Sequence, residues 1–439
     1  MSLPVGWSLV PLGDVADTAL GKMLDKGRSR GLPRVPYLRN VNVQWGRIDT
    51  DDVFEMELGE DERERFGVQK GDLLVCEGGE VGRAAIWERD GEYIAYQKAL
   101  HRVRPRTGVD ARYLRYALEN AALSGVFKPF TTGSTIAHLP QQNLRRVPLP
   151  IAPLDHQRRI VELLDDHLSR LDEGVALLER CQRQLAALDE AVIVEALGLG
   201  TDTGRIVGDD LPDLAPGWRW STLADVADIV GGVTKDAKKQ ADPAFVEVPY
   251  LRVANVQRAR LDLSNVTSIR VPREKADALA LRSGDVLMNE GGDRDKLARG
   301  WIWEGQIDGC IHQNHVFRAR PHDDVRSEWL AWCANSYGSR WAQRHGKQSV
   351  NLASISLRTI RTMPIPVPPL EVQDLRLNAL RDAVEGTSRL RAEIALSRVR
   401  AEALRRSLLA AAFAGRLTDS QLTADGRTEL AAHLEVVPV

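Results

Sequence analysis

Residues 35–44 read VPYLRNVNVQ and residues 248–257 read VPYLRVANVQ, identical at eight of ten positions. A chain that repeats itself at long range folds as copies of one unit, and this constrains the architecture more than any local motif does. The copies match in order. GWSLVPLGDVAD from Gly6 returns as GWRWSTLADVAD from Gly217, an offset of 211, and the VPYLR stretch returns at 213. Beyond the glycine-rich stretches GDLLVCEGGEVGRAAIWE and GDVLMNEGGDRDKLARGWIWE the offset is 216, pairing Trp87 with Trp303, Gln97 with Gln313, and VPLPIAPLDHQ with MPIPVPPLEVQ.

Each copy divides in two by periodicity. Its first part carries short apolar runs at 72–75, 84–87 and 101–103, broken by Gly, Pro and Asn, which predicts a strand-rich mixed module. The proline-rich stretches PLPIAPL and PIPVPPL follow; they read as hinges, because proline lacks a backbone donor and keeps the preceding residue out of the helix. Residues 155–197 and 371–413 then contain no proline, and their apolar positions recur at three and four. Leu164, Leu168, Leu171, Leu178 and Leu188 form the stripe in the first copy, and Leu380, Leu390, Ile394, Leu404 and Leu408 in the second. At about 1.5 Å per residue each helix spans roughly 60 Å, and a narrow stripe on so long a helix requires a partner helix. The other copy fits: residues 155–197 hold ten acids and five bases, whereas 371–415 hold six acids and eight bases.

The fold expected is therefore mixed α+β, with two globular modules in tandem, each followed by a long helix, and the helices paired as an antiparallel coiled coil. The boundaries are module 1 at 1–154, helix 1 at 155–200, a linker at 201–216, module 2 at 217–370, helix 2 at 371–415 and a tail at 416–439. With 43% apolar and 27% charged residues, the composition is that of a folded globular protein. No apolar run reaches the length of a membrane span, and a cytoplasmic location is expected. Cys76, Cys181, Cys310 and Cys333 are too dispersed for a zinc site or a disulfide framework and read as buried thiols. The net charge of −2 hides a local pattern: nine of the 20 acids in residues 1–154 lie between Asp49 and Glu64, and the rest of that segment is basic.

In its order of motifs the chain resembles the specificity subunit of Type I DNA restriction-modification systems. The features that carry the likeness are GW at each module start, VPYLR, GD followed by a glycine loop and GR or RG, QK or QN before a basic strand, GSTIAHL at 133–139, the P.P.PL..Q stretches and the closing LRRSLLAAAFAGRLT. Two departures stand in the second copy, GKQSVNL in place of GSTIAHL and a three-residue insertion near 293–296. The resemblance implies two target-recognition domains, each reading half of a bipartite sequence in double-stranded DNA. It implies helices that set the spacer and dock two methyltransferase subunits, with restriction subunits as a further partner. S-adenosylmethionine, ATP and magnesium would then belong to the partners, with no cofactor in this chain. No amino-methylation motif, Walker A sequence or paired-carboxylate nuclease pattern is present, so a non-catalytic subunit is expected. The alternative from another class is a coiled-coil scaffold whose modules bind proteins.

The glycine loops do not read as nucleotide sites, because EGGEVGR is followed by the strand-like AAIWE rather than by a helix. In HQNHVF, His312 and His315 fall on opposite faces of a strand, which argues against a shared metal. For DNA, the chemistry points to Lys22, Lys26, Arg28, Arg30, Arg39, Gly79, Arg83, Gln97, Lys98, Lys128, Thr131 and Ser134 in the first module. In the second it points to Lys235, Lys238, Lys239, Arg252, Arg294, Lys296, Gln313, Asn314, Lys347 and Gln348. Residues in the near-identical VPYLR stretches, such as Arg39 and Arg252, fit support of the backbone, whereas contacts that specify different half-sites belong where the copies diverge.

Overall fold

The computed structural model describes the chain except residues 1–2, 25–30, 134–136, 201–202, 209, 237–239, 349–351 and 418–439. It divides into two compact units, one comprising Met1–Glu179 with the chain from Ala395 onward, the other Arg180–Ile394. Both are built on the same plan. In the first, an antiparallel sheet runs in the order Ala16–Leu20, Leu100–Pro105, Leu73–Cys76, Ala84–Ile86. In the second, Ala227–Gly231, Val316–Pro321, Val286–Asn289 and Gly300–Ile302 repeat that order. A smaller sheet lies beside each: Phe54–Glu57, Arg34–Leu38 and Ala95–Tyr96 in one, Thr267–Val271, Val246–Leu251 and Ile311–His312 in the other.

Alternation explains why Leu73–Cys76 is buried at every position. Leu73 and Val75 enter a core with Tyr113, Leu114 and Ala117 of helix Ala111–Leu123, whereas Leu74 and Cys76 enter another with Trp87 and Tyr96. A strand covered on both faces reads as a continuous apolar run, and Val286–Asn289 occupies the same place in the second unit. Below each such strand sits a buried carboxylate. Asp72 takes two bonds from Arg104, at 2.6 and 2.8 Å, and Asp285 takes two from Arg320, at 2.7 and 2.9 Å.

The proline-rich stretches are strands. Pro148–Ile151 pairs with Ser8–Pro11, and Pro364–Val367 with Arg219–Thr222. Each forms a two-stranded ribbon, in which proline costs no ladder bond on its outer edge. Their carbonyls still find donors: the Tyr113 hydroxyl reaches Pro150 O at 2.7 Å, and the Trp329 indole reaches Pro366 O at 2.8 Å. The glutamine of the P.P.PL..Q motif now has a physical role. Gln157 accepts from Asp110 N at 2.8 Å and donates to Gly108 O and Ala152 O; Gln373 accepts from Arg326 N at 2.9 Å and donates to Asp324 O and Pro368 O. Each buried amide thus ties the first turn of a long helix to its own module.

The long helices span Leu154–Ala196 and Leu370–Phe413. In the first unit Ile160, Leu164 and Leu168 share a core with Leu408, Leu409, Ala412 and Phe413, and Arg405 pairs with Asp172 at 2.6 Å. The start of one helix therefore meets the end of the other, an antiparallel contact. In the second unit Ile193, Val194 and Leu197 pack with Leu377 and Leu380, and Arg391 pairs with Asp189. Both ion pairs join an acid of the first helix to a base of the second, as their opposite charge balances require. Leu171, Leu178, Ile394 and Leu404 are partly buried, but Leu188 and Leu390 stay 49% and 54% exposed although the spacing places them on the stripes. The glycine-, proline- and aspartate-rich stretch after the first helix includes the short helix Thr203–Val207, whose Ile206 is fully buried in the second unit's core.

Candidate nucleic-acid interface

Gly82 occupies the left-handed region, with φ +84°, in the turn that joins Leu73–Cys76 to Ala84–Ile86. An added Cβ there would stand 2.1 Å from the Phe127 ring. Gly82→Ala therefore meets both backbone strain and overpacking, and it should cost roughly 2–4 kcal/mol, read as a lowered thermal midpoint of the first unit. The glycine stretch is a hairpin loop followed by a strand, so the helix N-terminus that a phosphate-binding loop uses is not there. In the second unit the longer loop holds a 3₁₀ turn, Arg294–Lys296, and a short strand, Gly291–Gly292. That strand pairs with Ala353–Ser354, which pairs in turn with Lys347–Gln348.

Three segments meet at this end of each sheet. In the first unit Asn40 donates to Gly78 O at 2.9 Å, Arg83 donates back to Asn40 O at 3.0 Å, and Gly78 and Thr132 both bridge to His138. In the second, Val253, Glu290, Gly292, His315, Lys347 and Ser354 border a groove of about 530 Å³. The motif residues most alike between copies hold these loops. Asn42 and Asn255 are buried, accept from the backbone of Arg39 and Arg252, and donate to Asp49 and Asp52 carbonyls in one copy and to those of Asp262 and Asn265 in the other.

The candidate cations fall into two groups. Lys22 is paired with Glu62 and lies 5.6 Å from the Phe66 ring centre, and Arg39 is paired with Asp52 at 2.6 Å and stacked 3.7 Å over Phe54. Two acids of the 49–64 run thus neutralise two of the bases. Arg83 is tied to Glu80 and Asn40 O, and Lys296 to Asp293. By contrast Lys98, Lys128, Lys235, Arg294 and Lys347 are exposed and make no ion pair among the described residues; Gln348 is exposed beside Lys347. Gln97 and Gln313 are half-buried, and their carbonyls crowd Gly21 and Gly232, where an added Cβ would come within 2.3 and 2.4 Å. Thr131 donates to Lys128 O at 3.0 Å, Gly79 lies against Asn40, and Asn314 reaches His315 at 3.3 Å. Lys26, Arg28, Arg30, Ser134, Lys238 and Lys239 lie outside the described residues.

The two histidines of HQNHVF do not converge. His312 is fully buried against Val316 O at 2.7 Å, and burial pushes it down to about 4, so it stays neutral near pH 7. His315 turns outward to Glu290 at 2.6 Å. Sequence reasoning passed over this pair; the signal was the replacement of Ala99 by a histidine at an otherwise shared position. Among the described residues no cluster of His, Cys, Asp and Glu could hold a metal ion, and no helix is long and apolar enough to cross a membrane. Cys76, Cys310 and Cys333 are buried, and desolvation pushes their thiols up to about 11, 12 and 12, away from nucleophilic chemistry.

A family model described as Type I restriction modification DNA specificity domain matches residues 4–177. The chain is 24% identical over 430 residues to the Type I restriction enzyme StySPI specificity subunit of Salmonella potsdam, covering 95% of this chain and 90% of that protein. It is 21% identical over 426 residues to the EcoKI specificity subunit of Escherichia coli K12, with the same coverages. Residues 4–177 carry a Type I restriction modification DNA specificity domain, and over nearly its whole length the chain is similar to Type I specificity subunits. A solved structure from work on assembly and conformational transition of the type I R-M system shares its fold, with a TM-score of 0.72 and 18% identity over 94% of this chain and 99% of that one. This similarity favours DNA sequence recognition over a protein-binding scaffold.

Proposed function

We propose that this specificity subunit reads a bipartite sequence in double-stranded DNA, module 1 taking one half-site and module 2 the other. The observation that carries the reading is the repeated loop cluster in which exposed cations, without an ion pair among the described residues, sit where the copies diverge: Lys98 and Lys128 in one, Arg294 and Lys347 in the other. Phosphate contacts need such uncommitted charge, and different half-sites need different side chains on one scaffold. The subunit itself does no chemistry. Methyl transfer from S-adenosylmethionine belongs to two methyltransferase subunits docked along the paired helices, and ATP- and magnesium-dependent steps belong to restriction subunits where these join. Docking of that kind is supported by Leu177, Leu188, Leu375, Leu390 and Val399, large apolar side chains left exposed on the long helices. Such a complex works where the chromosome is, in the cytoplasm.

Salt provides the test. Affinity of the subunit with its methyltransferase partner for duplex DNA should fall steeply and log-linearly with salt, and Lys347→Gln should reduce the slope by about one. Absence of DNA binding with the partner present would instead favour the scaffold.

A further inference from the structure

Glu290 leaves the central strand of module 2 at the edge of the groove. Its backbone is fixed from both sides: its N–H donates to His315 O at 2.9 Å, and its carbonyl accepts from Ile355 N at 2.9 Å. The carboxylate, 20% exposed, takes Nδ1 of His315 at 2.6 Å, while the imidazole is 51% exposed and its Nε2 lies 3.3 Å from the Asn314 amide. Module 1 has the same backbone arrangement, with Glu77 N bonded to Ala99 O and Leu139 N to Glu77 O, but Lys98 and Ala99 replace Asn314 and His315. The Asn–His–Glu chain therefore belongs to the second module alone, at a point where the copies diverge and beside the exposed Lys347.

A carboxylate at a DNA-facing groove is repelled by phosphates, so its useful partners are hydrogen-bond donors on base edges. His315 Nε2 faces the Asn314 amide at 3.3 Å, so the acceptor this cluster offers a base is the Glu290 carboxylate, with the ring fixed beside it. In the major groove the donors are the N6 amine of adenine and the N4 amine of cytosine; guanine and thymine offer only acceptors and a methyl there. We propose that the Glu290–His315 pair is a specificity-determining element of module 2 and requires a base with an amine donor in the major groove, adenine or cytosine, at one position of the second half-site. This rests on the DNA-reading function proposed above. Glu290 supplies an acceptor and fixes the ring; His315 reaches into the groove; Asn314 backs the ring from the other side.

The test maps methylated sites by long-read sequencing in cells carrying the complete complex with the unaltered subunit, with H315A, or with E290Q. H315A installs the side chain of module 1, and E290Q keeps the shape of the carboxylate while adding a donor. The expected result is an unchanged first half-site and spacer, with the second half-site relaxed at one position: methylation of sites bearing guanine or thymine there rises about tenfold or more relative to the original site. Should H315A fail to assemble, E290Q decides. A second half-site with the same letters under E290Q would overturn the proposal while leaving DNA reading intact. A complex with the unaltered subunit that yields no bipartite methylated motif would overturn the DNA-reading function itself, and the proposal with it.

Discussion

Asp285→Ala destabilises the second module by about 3 kcal/mol, near the lower end of what the loss of one partner from a buried ion pair costs. Asp285 is 1% exposed and holds three donors: both ends of the Arg320 fork and the Arg282 N–H at 2.7 Å. Truncation leaves the Arg282 amide without this partner and strands a guanidinium whose side chain is only 27% exposed. The partial exposure of Arg320 lets water recover some of the loss, which keeps the cost from the top of the range. Asp72→Ala should behave alike in the first module, where Gln69 N–H replaces Arg282 N–H and Arg104 replaces Arg320. Hydrogen exchange read by mass spectrometry checks both: amides of Val286–Asn289 should lose protection in D285A and those of Leu73–Cys76 in D72A, each without the other. Equal loss in both strands would show that the modules do not hold their stability separately. Methylation should follow, with one half-site lost and the other retained.

The repeat, the long helices and their mutual pairing were legible because each is a statement about order or period. Leu164, Leu168, Leu380 and Leu408 are buried where a helix lies on a module core as well as on its partner. Leu188 and Leu390 satisfy the same spacing but stay half exposed, because a single partner helix covers only part of a leucine. The proline stretches misled as hinges: a strand pattern is hard to see when prolines replace every other residue, and only the partner Ser8–Pro11 makes Pro148–Ile151 a ribbon. Charge was the least legible property. Counting the 49–64 acids apart from the remaining bases suggested a free basic face, whereas Asp52 and Glu62 reach across to Arg39 and Lys22. Pairings of that kind depend on tertiary placement: the partners stand 13 and 40 residues apart, and nothing in their spacing marks them as neighbours.

Four residues inserted into each long helix, near 180–184 and 394–398, should lengthen the recognised spacer by about two base pairs and leave both half-sites unchanged. These positions lie clear of the segments bound to module cores, Ile160–Leu168 with Leu408–Phe413 and Ile193–Leu197 with Leu377–Leu380. Four residues add about 6 Å of helix, against roughly 3.4 Å per base-pair step. They also add about 400° of helical rotation, so the apolar stripe is displaced by only some 40° and the pairing survives as a local change of phase. The duplex meanwhile turns by about 70° over two steps at 10 to 10.5 base pairs per turn, close enough for compliant loops to follow. A single inserted residue makes the contrast: it would swing the stripe by about 100° and break the contacts between helices, so methylation should be lost rather than re-spaced. Insertion in one helix only should also fail, since it shifts Asp172 from Arg405 or Asp189 from Arg391 with no compensating shift in the partner. Long-read mapping of methylated sites separates the outcomes. A four-residue double insertion that methylates the original spacing would show that something other than helix length sets the distance between half-sites.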